Sequence, residues 1–70
     1  MSDDKIVHMA NQIAAFFESQ PEEERVSGVA NHINKFWEPR MRRQFFQKLE
    51  GGAGFHPLVV EAAREINRPA

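Results

Sequence analysis

No cysteine occurs in this chain of 70 residues, and that combination restricts what it can fold into more than any other feature. A body of this size buries only ~60% of the surface that its unfolded chain exposes, so it forms one small core and at most one domain. Such a core rarely supplies more than ~3–5 kcal/mol, and small chains are commonly braced by disulfides or zinc. Without thiols, the remaining sources of stability are close helix packing, self-association or a partner protein.

Apolar residues recur at steps of three and four along most of the chain, which is the spacing of one face of an α-helix. Together with Pro21, Pro39 and Pro57, which suit the first turn of a helix, this pattern predicts four helices. Their predicted bounds are about 4–19, 21–37, 39–50 and 57–67. Sustained alternation and hairpin-turn dipeptides are absent, so no strand is expected. We therefore predict an all-α fold: a single small domain over 1–70, with a helical hairpin and two shorter helices packed across it.

Two of the predicted helices end in a pair of adjacent aromatic residues. "MANQIAAFFES" aligns with "VANHINKFWEP" at a spacing of 20 residues, with five of 11 positions identical. Two amphipathic helices that use the same stripe explain this echo, and a duplicated helix is the alternative. The predicted inward stripes are Ile6, Met9, Ala10, Ile13, Phe16 and Phe17 in the first helix, and Val26, Val29, Ala30, Ile33, Phe36 and Trp37 in the second.

Neighbouring residues point about 100° apart on a helix, so only one member of each aromatic pair faces the core squarely. In the second helix we expect Phe36 to point inward and Trp37 to lie at the rim. Gly28 lowers the helix propensity of the same segment by ~1 kcal/mol, but it permits another helix to approach closely.

The reactive side chains form no recognisable catalytic or metal-binding pattern. His8, His32 and His56 follow one another at intervals of 24 residues, whereas helical zinc sites use spacings such as i, i+4. The serines lack a Gly-x-Ser-x-Gly context, and "EGGAGFHP" lacks the Lys-Ser/Thr ending of a phosphate-binding loop. We predict no catalytic, cofactor-binding or metal-binding residue and no bound cofactor, and we expect His56 to cap a helix.

Charge and the N-terminal sequence bear on the compartment and the class of partner. Nine Lys and Arg residues stand against ten Asp and Glu, for a net charge of −1, without the basic excess of a dedicated nucleic-acid-binding protein. "MSDDKIVHM" carries two acids where a secretory signal would carry positive charge. No apolar run approaches the ~20 residues that cross a bilayer. These features predict a cytoplasmic protein that binds neither nucleic acid nor membrane.

The stretch "FWEPRMRRQFF" contains the only Trp of the chain, a proline and three arginines. The predicted third helix has a local charge near +4 between Pro39 and Lys48. Three interpretations are open: a solvated basic face, a helix-turn-helix whose third helix enters a DNA groove, or a protein-docking surface rich in hot-spot residue types. We favour docking, because a partner would also supply the surface that the small core cannot bury. The predicted partner-binding residues are His32, Phe36, Trp37, Pro39, Arg40, Met41 and Arg43.

Three segments cover almost the whole chain: "DDKIVHMANQIAAFF", "GVANHINKFWEPRMRRQF" and "HPLVVEAAREI". Through them the sequence resembles the delta subunits of soluble NAD-dependent, molybdenum-containing formate dehydrogenase. "HINKFWEPRMR" is the most specific part of the likeness, because helix periodicity does not dictate it. The resemblance implies a non-catalytic subunit of a cytosolic complex in which a large alpha subunit oxidises formate to carbon dioxide at a molybdopterin centre. Electrons then pass through iron–sulfur clusters and flavin to NAD on other subunits, and this chain would carry none of those cofactors.

The role implied by this resemblance is to bind the alpha subunit and to stabilise it or help assemble it. A transient chaperone that acts during cofactor insertion is an alternative, and a small helix-turn-helix nucleic-acid-binding protein is a less favoured one. Self-association of the isolated chain, through the surface that a partner would cover, is also open.

Overall fold

The part of the chain that the structure describes is built entirely from helices. This computed structural model describes residues 2–69, and within them it has four α-helices, one 3₁₀ turn and no strand, so the all-α prediction is confirmed. The elements are α1 (Ser2–Phe17), α2 (Glu22–Phe36), α3 (Pro39–Glu50), α4 (Pro57–Ala62) and the 3₁₀ turn (Ala63–Glu65). Residues 18–21 join α1 to α2, and these two helices pack against each other; α4 packs across both, and α3 packs against α1.

The last helix is shorter than the predicted 57–67, because side chains of other helices capture the backbone that follows it. The Asn34 side chain accepts a hydrogen bond from the Asn67 amide (2.7 Å) and donates one to the Glu65 carbonyl oxygen (2.9 Å). Arg42 donates to the Asn67 carbonyl oxygen (2.6 Å). Ile66 consequently has an extended backbone, with φ −86° and ψ 128°. We call residues 65–69 the C-terminal strap.

The first helix also ends earlier than predicted, at Phe17 and not at residue 19. The Ser19 hydroxyl donates to the Phe16 carbonyl oxygen (2.9 Å), and the Gln20 amide donates to the Phe17 carbonyl oxygen (3.0 Å). These bonds use carbonyl groups that a continuing helix would otherwise pair four residues further on. The turn into α2 therefore begins within the predicted helix.

The core is a cluster of apolar side chains in which Phe45 contacts several aromatic rings. Phe45 is fully buried, and its ring centroid lies 6.4 Å from Trp37, 5.0 Å from Phe46 and 5.0 Å from Phe55. The other buried members are Ile6, Ala10, Ala14, Val29, Ala30, Ile33, Val59, Ala62 and Ile66. Burying one such aromatic side chain is worth up to about 3 kcal/mol, so α3 contributes strongly through Phe45 and Phe46.

Gly28 allows α1 and α2 to approach closely, as predicted from the sequence. A Cβ atom at this position would lie 2.6 Å from Cδ1 of Phe17, much closer than the 3.5–4.0 Å at which carbon atoms pack. The Phe17 ring therefore occupies the space that any larger residue would need. Gly28 therefore provides the space in which the Phe17 ring of α1 packs against α2.

The glycine-containing loop between α3 and α4 is tied to α1 by the side chain of Asn11. Asn11 donates to the Gly54 carbonyl oxygen (3.1 Å) and accepts from the His56 amide (2.8 Å). Nδ1 of His56 accepts from the Leu58 amide (3.0 Å), which confirms the predicted cap of α4. Because Nδ1 is the acceptor, we assign the proton of the neutral ring to Nε2, which lies 2.9 Å from a Glu18 carboxylate oxygen.

Candidate functional site

The predicted partner-binding residues lie around the corner between α2 and α3, but they differ widely in exposure. Phe36 is 63% exposed, whereas Trp37 is only 7% exposed. His32 and Met41 are half-buried, and Met41 packs against the core. Pro39, Arg40 and Arg43 are exposed on α3. The structure thus leaves six of the seven residues at least partly accessible on this corner and buries only Trp37.

The expected orientation of the aromatic pair is wrong: Trp37 points inward and Phe36 points outward. The α-helix ends at Phe36, and Trp37 has an extended backbone with φ −90° and ψ 130°. This change of direction turns the indole towards α3, where it packs edge-on against Phe45 at an angle of 79° between the ring planes. Helix periodicity applies only to residues that continue the helix, and so it does not predict where Trp37 points.

An apolar groove lies between α1 and α2, next to this corner. Its volume is about 510 Å³, and its lining residues are Met9, Gln12, Ile13, Phe16, Phe17, His32 and Trp37. Gln12 and His32 are the only polar side chains in this lining. We call this feature the α1/α2 groove. The buried Trp37 contributes to its floor, which explains how a residue of the core also shapes the surface.

Two phenylalanines beside the groove expose much of their rings. Phe16 is 63% exposed and packs edge-on against Phe17, with centroids 5.1 Å apart. Phe36 stands against His32, with ring centroids 4.8 Å apart, and Nζ of Lys35 lies 5.5 Å from the centroid of Phe36. Large aromatic side chains are usually more buried than this, and adjacent exposed apolar surface is a common sign of an interaction site.

The α1 side of the groove was not among the predicted partner-binding residues, and Phe16 was expected to point inward. That expectation is wrong, because Phe16 follows the fully buried Ala14 by two residues, or about 200° around the helix. The internal echo offered a signal for this half of the site. In both helices the first aromatic residue is exposed and the second is packed inward, so Phe16 corresponds to Phe36, and Phe17 to Trp37.

The basic residues of α3 serve two different purposes. Arg42 donates to the Trp37 carbonyl oxygen (3.3 Å) and to the C-terminal strap, so it holds the fold together. Arg40 and Arg43 are exposed, and within residues 2–69 neither side chain forms a hydrogen bond or an ion pair. The engagement of Arg42 leaves Arg40 and Arg43 as the two fully exposed arginines of α3.

The groups that this surface presents are apolar rings and cationic side chains. Across the described part of the chain, no group of three or more His, Cys, Asp or Glu side chains is placed to hold a metal ion. In that same range, no helix is both long and apolar enough to cross a membrane. The surface combines exposed aromatic rings, an apolar groove and two accessible arginines. Aromatic residues and arginine are enriched where proteins bind one another.

Comparison with models of known protein families gives one match that spans most of the chain. Residues 5–63 match the family described as the NADH-dependent formate dehydrogenase delta subunit FdsD. The matched range includes both walls of the α1/α2 groove and all of α3. No curated protein and no solved structure gives a significant match.

Proposed function

The chain belongs to the FdsD family of delta subunits of NADH-dependent formate dehydrogenase, and from this premise we propose that it binds and stabilises the large, molybdopterin-containing alpha subunit, or helps assemble it. Membership makes the chain a subunit of a formate dehydrogenase complex. The finer proposal is that it has no active site of its own and acts through a docking surface. We place this surface at Phe16, His32, Phe36, Arg40 and Arg43.

The observation that carries this proposal is the exposure of Phe16 and Phe36 beside an apolar groove. Each ring is 63% exposed. Covering that fraction of a phenylalanine would remove on the order of 100 Å² of apolar surface from water, which is worth about 2–3 kcal/mol per ring before the cost of association. Two such rings could act as the anchors of an interface, since a few large side chains usually supply most of the binding energy.

The two exposed arginines favour a protein partner with carboxylates near the apolar anchors. An arginine guanidinium forms forked hydrogen bonds to a carboxylate, and such contacts add orientation as well as energy. Arg40 and Arg43 are three residues apart on α3, so their side chains share one side of that helix. The docking surface therefore offers charge on α3 and apolar area between α1 and α2.

The small core also favours a docking function, because it leaves the isolated chain with a low free energy of unfolding that a partner would raise. A chain of 70 residues without cysteine has little margin, and binding to a partner stabilises the folded state by mass action. Because the linkage is mutual, the alpha subunit would be stabilised by this chain as well. Reduced yield of assembled enzyme is therefore the expected result of losing the interface.

The test is co-purification of the complex with a variant that changes only the anchors. A Phe16→Ser/Phe36→Ser variant should stay helical by far-ultraviolet circular dichroism, because both rings are mostly exposed, but it should be lost from the purified complex. Val60→Ser is the matched control, since Val60 is 49% exposed and lies on α4. Retention of the double variant at the wild-type ratio to the alpha subunit would refute this docking surface.

The transient-chaperone alternative uses the same surface and differs in how long the chain stays bound. Native mass spectrometry of the purified active enzyme separates the two roles. A resident subunit remains at a fixed ratio to the alpha subunit through gel filtration, and a transient chaperone is found only in preparations that have not yet received their cofactor.

A further inference from the structure

We infer that the α1/α2 groove receives an amphipathic helix of the partner subunit, and that carboxylates on this helix lie against Lys5 and Lys35. The inference rests on the proposed docking function and adds to it the chemistry of the occupant. Its evidence is the size of the groove, the exposure of its rim and the charge at one of its ends.

The size of the groove suits several apolar side chains of a polypeptide. An apolar cavity of ~150 Å³ holds a benzene ring, so the volume of about 510 Å³ has room for about three side chains of that size. A small ligand that fitted within the groove would leave the outer faces of Phe16 and Phe36 in water. A helix laid along the groove would fill it and cover both rings.

The architecture favours a helix over an extended peptide as the occupant. An extended peptide usually binds by adding a strand to the edge of a sheet, and residues 2–69 contain no strand to supply such an edge. The α1/α2 groove lies between two packed helices, where the apolar face of a third helix binds through anchors at positions i, i+3 or i+4, and i+7. Three such anchors correspond to the volume available.

The charge at one end of the groove indicates carboxylates on that helix. Lys5 precedes Met9 by four residues on α1, so it lies on the face of α1 that lines the groove. Lys35 follows His32 by three residues on α2, and its Nζ lies 5.5 Å from the Phe36 ring. Both lysines are exposed, and within the described range neither forms an ion pair.

Among the acidic side chains that the structure describes, none neutralises this end; Asp3 and Asp4 precede Lys5 on α1 by two residues and one, which places them about 200° and 100° around the helix from it. Glu38 is exposed at the N-cap of α3 and forms no ion pair in residues 2–69, and Arg40 follows it with a positive charge. The acidic run Glu22–Glu24 lies at the opposite end of α2, about 16–20 Å along the helix axis from Lys35. The groove is thus electrostatically asymmetric, which would set the direction and register of an acidic helix.

The first test is competition during assembly of the complex. Lys35→Glu is compared with Arg64→Glu, because both change one exposed basic residue in the last turn of a helical segment and Arg64 lies outside the groove. Wild-type and variant chains are supplied in equal amounts, and their ratio in the purified complex is measured by mass spectrometry. Circular dichroism of each free variant checks that it folds.

We expect Lys35→Glu to be under-represented about tenfold at low salt, and by less than about threefold at 0.5 M salt, because salt screens exposed charges. Arg64→Glu should enter the complex within about twofold of the wild type, as most surface changes do. Equal incorporation of the two variants, or a defect of Lys35→Glu that salt does not reduce, would overturn the acidic-helix assignment.

The second test identifies the occupant directly. Phe16 is replaced with the photo-crosslinking amino acid benzoylphenylalanine in the assembled complex, and the crosslinked peptide is sequenced. The expected peptide comes from a helix of another subunit, with apolar residues three and four apart and Asp or Glu beside them. A crosslink to a second copy of this chain, or to a segment without carboxylates, would refute the inference.

The outcomes separate this inference from the proposed function. If Phe16→Ser/Phe36→Ser is lost from the complex while Lys35→Glu enters it normally, the docking surface stands and the acidic helix is wrong. If the double phenylalanine variant is fully retained, the proposed docking surface itself is wrong, and the inference that depends on it fails too.

Discussion

Truncating Trp37 should unfold the isolated chain, whereas truncating its neighbour Phe36 should leave it folded. Trp37 is 7% exposed and packs edge-on against Phe45. Replacing a core aromatic with alanine typically lowers the free energy of unfolding by 3–5 kcal/mol, about as much as a core this small supplies. Phe36 is 63% exposed, so Phe36→Ala should remove roughly 1 kcal/mol of burial energy, partly offset by the ~0.5 kcal/mol better helix propensity of alanine.

Urea unfolding followed by far-ultraviolet circular dichroism measures both changes. Trp37→Phe provides an intermediate control, because it keeps an aromatic ring against Phe45 and should lower the free energy of unfolding by only about 1–2 kcal/mol. Trp37 is the only tryptophan, so its fluorescence in the wild type reports the same site and should shift to longer wavelength on unfolding. A cooperative transition for Trp37→Ala within about 1 kcal/mol of the wild type, or unfolding by Phe36→Ala, would contradict this assignment of roles.

Three further changes test contacts that organise the fold. Gly28→Ala should destabilise the chain by about 1–2 kcal/mol in urea titrations, because its Cβ would overlap the Phe17 ring. In a Phe17→Ala background the same change should stabilise the chain by up to about 1 kcal/mol through helix propensity. An effect of the same sign in both backgrounds would refute the clash. Arg42→Ala removes the bond to the Asn67 carbonyl oxygen, and it should speed amide hydrogen exchange in the C-terminal strap more than in α1; uniform acceleration would mean that Arg42 supports the whole fold. His56→Ala removes the cap of α4 and should cost about 0.5–2 kcal/mol by thermal unfolding, while His56→Asn, which keeps a side-chain acceptor, should recover part of the loss.

The local sequence was sufficient to establish the class of fold and the positions where most helices begin. Apolar residues at three- and four-residue steps, with proline at the start of α3 and α4, specify helices through geometry that each segment carries within itself. The closing glycines, the cap at His56 and the close approach at Gly28 follow from the same kind of local information. The residue types of "HINKFWEPRMR" also indicated the delta-subunit family, because helix periodicity does not determine which residues occupy those positions.

Only the tertiary structure decided which aromatic residue faces outward and which arginines are accessible. Phe36 and Trp37 both lie near the apolar stripe of α2. Which of the two rings is buried depends on the extended backbone at Trp37 and on its contact with Phe45 of α3, which helix periodicity does not encode. Arg42 is held by the C-terminal strap, 25 residues further along the chain. Phe16 and Phe36 border one surface because α1 and α2 fold back on each other. The proposed docking surface depends on packing between distant segments, and periodicity within one segment contains no information about that packing.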